Sequence, residues 1–305
     1  MKLSVNTGFL VNRYPDPNQW SKIIKEIKIK NIQITADLFN PSYPDQVLED
    51  QVRNINKLSE KYNFSVFSAF TGGFTRVNHF CHPSEIVREY WLGWFERFAK
   101  YTSKIGAKRI GSHIGILSIP DNSENRVIFQ KRCIEYWKRF SSIAKGYGFE
   151  ELSWEHMSIE REQGHTCEDI DYILKNLKET EIPIKICLDP DHGDLSSENT
   201  MDYEPYGLIK KYISEANQIH LKQTSMDKRK NGPFTEANNK NGLIKALKVL
   251  DYIEKFHLQD SSNLELILEL NAREREPDDS QIVEDIIESV DYWKKALNKK
   301  NINYE

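Results

Sequence analysis

The chain has 305 residues, 39% of them hydrophobic and 29% charged, with a formal net charge of −4. That composition supplies a full core and an ordinary soluble surface, and its mild acidity gives no electrostatic footprint for DNA, RNA or an anionic membrane. The opening MKLSVNTGFL is too polar and too short for a signal-peptide core, and no apolar run approaches the roughly 20 residues that cross a bilayer. Cys81, Cys133, Cys167 and Cys187 lie far apart without CxxC or zinc-type spacing, which reads as reduced, buried thiols. The expectation is a cytoplasmic protein with a small-molecule partner and neither nucleic acid nor membrane.

Short apolar or alternating runs fall at 3–6, 32–37, 65–70, 108–113, 149–155, 184–189, 218–222 and 264–270, and each reads as a strand. Segments of helical period lie between them, among them 44–62, 84–105 and 278–297. The run YWLGWF at 90–95 has helical spacing and is expected to pack against the sheet, with a dimer interface as the alternative. Strand and helix alternate in this way through the whole chain, which implies parallel strands. Eight such units within 305 residues give an α/β fold, a (β/α)8 TIM barrel, and with no linker dividing it residues 1–305 are read as a single domain. A doubly wound open sheet is weaker, because no glycine-rich phosphate loop follows the first strand.

Alternate residues of a barrel strand face the interior and the helix layer. In 184–189, Ile184, Ile186 and Leu188 share one face and Lys185, Cys187 and Asp189 the other; in 264–270 the leucines oppose Glu265, Ile267 and Glu269. The apolar set must pack beneath the helices, so the polar set points inward. By this parity Asn6, Asp37, His113, Glu155, Asp189, His220 and Glu269 converge at the C-terminal mouth, where active sites of this architecture lie.

Carboxylates aimed at one point repel one another unless a cation or protons compensate them. Glu155, Asp189, His220 and Glu269 are therefore the expected ligands of one divalent ion, for which Mn²⁺, Mg²⁺, Co²⁺ and Zn²⁺ all suit mixed carboxylate and imidazole ligation. Any one of them alone is better explained by a neighbouring lysine or arginine, but four at equivalent strand ends favour the metal.

The segments LSWEH, CLDPDH, IHLKQ and LILELN, in this order on strands five to eight, resemble the xylose-isomerase-like TIM-barrel superfamily of sugar isomerases, ketose 3-epimerases and endonuclease IV. In the 3-epimerases the matching pattern is a strand-five glutamate, a strand-six aspartate with a histidine three residues on, a strand-seven histidine and a strand-eight glutamate. Those positions fall on Glu155, Asp189, His192, His220 and Glu269. NTGFLVNRYPDPNQW and SAFTGGFTRVNHFCHP are also similar to a branch acting on tetrulose phosphates, the D-erythrulose 1-phosphate 3-epimerases. The resemblance implies an isomerase, a sugar or sugar-phosphate epimerase acting on a small carbohydrate. On that reading an ion would stabilise an enediolate while Glu155 and Glu269 would act as catalytic acid and base, most directly for inversion at C3 of a short ketose phosphate. It also assigns His192 to substrate oxygens and implies a homo-oligomer. An aldose–ketose isomerase would use the same parts.

Two departures bear on substrate. Relatives that epimerise free ketoses carry a second glutamate six residues after the strand-five one, where this chain has Arg161, and an arginine six after the strand-seven histidine, where it has Met226. Lys222, inward by parity, is instead a candidate for an anionic group such as phosphate. Asn6 and His113 complete the candidate substrate-binding set. Arg76, Asn78, His79 and His82 lie in a mouth-side loop, His156 faces outward, and His165 and His257 suit capping or packing. Asp191 and Asp194 read as turn residues beside Gly193. The rival functions are an endonuclease IV-like phosphodiesterase, a metal-free glycosidase with two carboxylates, and a non-catalytic sugar-binding barrel. The first lacks the histidine-bearing segment that a three-metal site needs after strand seven.

Overall fold

A computed structural model of the chain describes residues 1–225, 231–257, 261–270 and 279–305. Met226, Asn271 and Asp278, which enter the sequence reading, lie outside the described residues. The barrel strands are β1 (Lys2–Asn6), β2 (Asn31–Thr35), β3 (Ser65–Phe70), β4 (Arg109–His113), β5 (Glu151–Glu155), β6 (Ile184–Leu188), β7 (Ala216–Leu221) and β8 (Glu265–Leu268). They close in the order β1-β8-β7-β6-β5-β4-β3-β2, every neighbouring pair parallel. The connections carry α1 (Pro17–Glu26), α2 (Asp45–Tyr62), α3 (Glu85–Ser103), α4 (Arg126–Gly146), α5 (Cys167–Asn176), α6 (Pro205–Tyr212) and α7 (Ala246–Phe256), and α8 (Ile282–Lys299) follows β8. The α/β barrel expected from the alternation is the fold.

Local chemistry marks the helix ends. Asp16 accepts from Asn18 N ahead of Pro17 in α1, and Thr166 accepts from Asp169 N at α5, each satisfying an amide that the first turn leaves open. Asn63, at φ 57°, ends α2 in the left-handed conformation. In α3, Leu92, Phe95, Phe98, Ala99 and Thr102 recur at helical spacing on the buried face, and Tyr90 of the aromatic run stays 60% exposed.

One face of each strand builds the shell beneath the helices. Leu3, Val5, Ile32, Ile34, Ile110, Leu152, Trp154, Ile186, Leu188, Ile219, Leu221, Leu266 and Leu268 all lie in one apolar cluster with the inner faces of the helices. The other face makes a polar interior. At its base the Arg109 guanidinium donates to Glu151 Oε2 (2.8 Å) and to the carbonyls of Asn217 (3.1 Å) and Asn263 (2.6 Å), with the Phe67 ring 5.3 Å away. Above it Glu265, fully buried, accepts from Ser4 Oγ (2.6 Å), Ser68 Oγ (3.1 Å) and Gln218 Nε2 (2.8 Å). Gly111 makes the next step upward: a Cβ there would sit 2.2 Å from Phe70 Cε2 and 2.7 Å from Ser153 O. Without it the Phe70 ring crosses the interior and meets the His220 imidazole edge-on at 4.9 Å.

Candidate active site

Asn6, His113 and Glu155 end their strands, His220 is the penultimate residue of β7, and Asp189, Lys222 and Glu269 follow β6, β7 and β8 directly. β2 stops two residues short of expectation, because Thr35 O accepts from Leu38 N and Phe39 N and turns the chain, so Asp37 projects from that turn. The cavity at this end, about 650 Å³, is lined by Asn6, Asp37, His113, Glu155, His192, Lys222 and Glu269 together with Arg13, Thr35, Thr71, Phe74, Arg76 and Met157. Asp189 and His220 lie fully buried at its floor.

One ligand atom each from Glu155, Asp189, His220 and Glu269 comes within 4.8 Å of every other. His220 Nδ1 is 2.7 Å from Glu155 Oε1 and 3.6 Å from Glu269 Oε2. Lys222 Nζ donates to Asp189 Oδ2 and, at 2.8 Å, to Glu269 Oε2. His192 Nε2 is 3.5 Å from Asp189 Oδ2, while its Nδ1 bonds His156 O at 2.8 Å. Burial pushes the Asp189 carboxyl up, but His192 and Lys222 outweigh it and hold it well below the carboxylate range. Glu269 is lowered in the same way: burial opposes, and Lys222 and His220 prevail. Burial would lower His220, yet Cys187 and the carboxylates of Glu269 and Glu155 hold it well above its ordinary value. Burial also pushes the Cys187 thiol up to about 12, so it is neutral near pH 7 and the carboxylates supply the effect. Burial likewise opposes the Lys222 charge, and Asp189 and Glu269 restore it.

Two cationic side chains thus sit among three carboxylates at one point. Three carboxylate oxygens and one imidazole nitrogen are a donor set that fits one hard or borderline divalent ion, with Lys222 and the His220 proton holding the charge otherwise. Among the described residues no other group of three or more candidate ligands comes together.

The loop after β3 forms one wall. Asp37 accepts from Phe74 N (2.9 Å) and Thr75 Oγ1 (3.0 Å), and a Cβ on Gly72 would lie 2.1 Å from Asp37 Oδ2, which is why glycine stands there. Burial raises the Asp37 carboxyl despite those donors. His113 donates from Nε2 to Val77 O (2.9 Å) and His79 from Nε2 to Thr75 O (2.6 Å), with the rings 4.5 Å apart. Burial keeps both imidazoles neutral, His79 lowered to about 4 and His113 well below its usual value. His113 therefore lines the cavity while its ring nitrogens hold the loop and meet Ser112 Oγ. Asn78 bonds Ile116 O, and His82 Nδ1 accepts from Ser84 N ahead of α3, so of that loop's polar group Arg76 reaches the cavity.

His156 is fully buried, its Nε2 accepting from Asp189 N (3.1 Å), so it supports the strand end from behind. Asp194 caps Ser196 N, whereas Asp191 Oδ2 accepts from the side chain of Asn231 rather than from backbone. Beside Arg161, Glu162 is 5% exposed and bonded to Arg76. Sequence reasoning passed over Arg13, Thr71 and Phe74, which lie in loops where parity has no meaning, and Gln33, which parity with Asp37 would have found.

No family model matches the chain. It is 33% identical over 298 residues to a D-erythrulose 1-phosphate 3-epimerase of Brucella abortus (strain 2308), covering 96% of this chain and 95% of that protein. Among solved structures, a candidate xylose isomerase of Rhodospirillum rubrum ATCC 11170 superposes with a TM-score of 0.82 at 20% identity, over 97% of this chain and 99% of that one. D-psicose 3-epimerase of Clostridium cellulolyticum H10, with D-tagatose, gives 0.69 at 13% identity over 99% and 98%. No helix among the described residues is long and apolar enough to cross a membrane. On a closed parallel barrel with this similarity along nearly its whole length, the chain belongs to the family of the D-erythrulose 1-phosphate 3-epimerases, sugar epimerases of the isomerase class built on the xylose-isomerase-like barrel.

Proposed function

We propose that the protein is a divalent-metal-dependent epimerase that inverts C3 of a short ketose phosphate. The observation that carries the reading is the meeting of Glu155, Asp189, His220 and Glu269 within 4.8 Å at the barrel mouth, in a chain one third identical to an epimerase of that name. Glu155, Asp189, His220 and Glu269 hold the ion, which supplies Lewis-acid stabilisation of the negative charge that develops on the substrate's oxygens. Glu155 and Glu269, on strands separated by β6 and β7, exchange the C3 proton, one removing it and the other returning it to the opposite face. Asp189, held ionised, keeps its charge through the cycle.

His192 reaches substrate oxygens from the turn after β6. Lys222 presents the buried cation that an anionic group of the substrate meets, and Arg13 and Arg76, paired with Asp279 and Glu162, bring further guanidinium donors to the same cavity. His113 and Asn6 bound the substrate from β4 and β1. A single candidate metal cluster among the described residues favours this reading over a three-metal phosphodiesterase.

The test is exchange in D₂O. Protein loaded with Mn²⁺ or Mg²⁺ is incubated with D-erythrulose 1-phosphate and other ketose phosphates, and deuterium is followed at C1 and C3 by NMR. Deuterium at C3 with inversion supports the reading, exchange at C1 replaces it with an aldose–ketose isomerase, and exchange with no ketose or ketose phosphate refutes both.

A further inference from the structure

A histidine can bind a metal through either ring nitrogen, and which one is available depends on where the proton sits on the other. At His220 that choice can be followed from a group whose polarity cannot change. The Gly8 backbone N–H can only donate, and it lies 2.7 Å from Asn6 Oδ1. The Asn6 carbonyl oxygen is thereby fixed, so its amino group faces the other way and donates to Gln33 Oε1 at 2.6 Å. Gln33 Oε1 is in turn an acceptor, and His220 Nε2 stands 3.0 Å from it. The nitrogen there must carry a proton, which leaves Nδ1, the atom facing Glu155 and Glu269, as the one that gives up its proton and offers a lone pair when an ion binds.

A second feature shows that Gln33 is not placed for its own stability. Its Nε2 is buried and finds no hydrogen-bond partner among the described residues, a cost accepted for a satisfied oxygen on the other side. Turning the amide over would set an amino group against the Asn6 amino group and the His220 Nε2–H. The orphaned donor is what remains when the oxygen has to point one way.

We infer that Gln33 is a positioning residue, which with Asn6 and the Gly8 amide holds His220 as the Nε2–H tautomer and so presents Nδ1 to a divalent ion. The inference rests on the metal reading above. Gln33 touches neither ion nor substrate; it acts through His220.

The experiment compares native protein with Gln33→Met, which keeps the length of the side chain and loses the acceptor, and Gln33→Glu, which keeps the acceptor. Mn²⁺ affinity is measured by calorimetry and metal-free stability by urea unfolding. Gln33→Met is expected to weaken Mn²⁺ binding about 10- to 100-fold, and in metal-free protein to unfold at a lower urea concentration than Gln33→Glu, because the Asn6 amino group and the His220 Nε2–H lose their acceptor. Gln33→Glu is expected to bind Mn²⁺ at least as tightly as native. Gln33→Met with native affinity, or both variants weakened alike, overturns the inference and leaves the metal reading standing. Native protein that binds no divalent ion overturns both. Should Gln33→Met fail to fold, ¹⁵N-histidine spectra of the native protein with Mg²⁺ decide, with the His220 signal assigned by comparison with His220→Gln. A proton on Nε2 supports the relay and one on Nδ1 refutes it.

Discussion

Replacing Lys222 by methionine separates the two ways in which this site holds its charge. The Lys222 side chain is 8% exposed and its ammonium is bonded to two carboxylates, Asp189 and Glu269, with Glu155 beside them. In metal-free protein its loss leaves three carboxylates facing one imidazolium. Removing one partner of a buried pair costs about 3–5 kcal/mol. With a divalent ion bound, the ion carries that charge and the ammonium becomes a like-charged neighbour. The remaining loss is the change of stem to methionine, about 1 kcal/mol. The difference, about 2–4 kcal/mol, must appear as tighter metal binding, roughly 30- to 700-fold at 1.4 kcal/mol per tenfold. Urea unfolding in EDTA and in saturating Mn²⁺ measures both corners, and calorimetry measures the affinity directly. Lys222→Met should therefore bind Mn²⁺ more tightly and turn over less. Equal destabilisation with and without Mn²⁺, or an affinity no greater than native, would show that Lys222 does not stand in for the ion.

Glu155→Gln and Glu269→Gln should each lower C3 deuterium exchange by about 10²- to 10⁴-fold, and a native rate in either variant removes that residue from proton transfer. Gly111→Ala should cost about 1–3 kcal/mol or more, because the new Cβ meets Phe70 and the Ser153 carbonyl. It should also weaken Mn²⁺ binding as Phe70 is driven toward His220; an unchanged melting temperature refutes the packing argument. His79, neutral with a value of about 4 against roughly 6.5 in the unfolded chain, contributes stability that is fully present above pH 6.5. As pH falls to 4 the unfolded chain takes a proton that the folded one refuses, so up to about 3 kcal/mol is lost. In EDTA, His79→Asn should flatten the urea-unfolding profile over that window, and an unaltered slope assigns the acid sensitivity elsewhere.

What the sequence made legible follows from period two. Ile184, Ile186 and Leu188 against Cys187 and Asp189, or the leucines of 264–270 against Glu265 and Glu269, are local patterns that need no knowledge of a neighbour. Closure into a barrel then brings Asp37, Glu155, Asp189, His220 and Glu269 to one end. Parity fails where register slips. In β3, Val66 pairs with Ile32 but Ser68 with Gln33, so Phe67 is an extra residue and the alternation restarts after it. It fails again at strand ends, where turns set by Thr35 O and Asp189 O place Asp37 and His192 beyond any ladder. Partners such as Glu162 for Arg76, 86 positions apart, leave no local trace at all. The polarity chain through Gly8, Asn6, Gln33 and His220 crosses three strands, and only folded geometry writes it.

The division of each strand into an apolar outer face and a polar inner face makes the barrel permissive toward change. Leu266 and Leu268 hold β8 against the helices whatever stands at position 269, and Leu152 and Trp154 do the same for β5 whatever stands at 155. A change at the mouth thus leaves these apolar contacts in place, and its cost is confined to the charges it unpairs, as at Lys222. A lineage or a designer exploring new substrates on this scaffold starts from charge-matched changes at the mouth, which the shell accommodates.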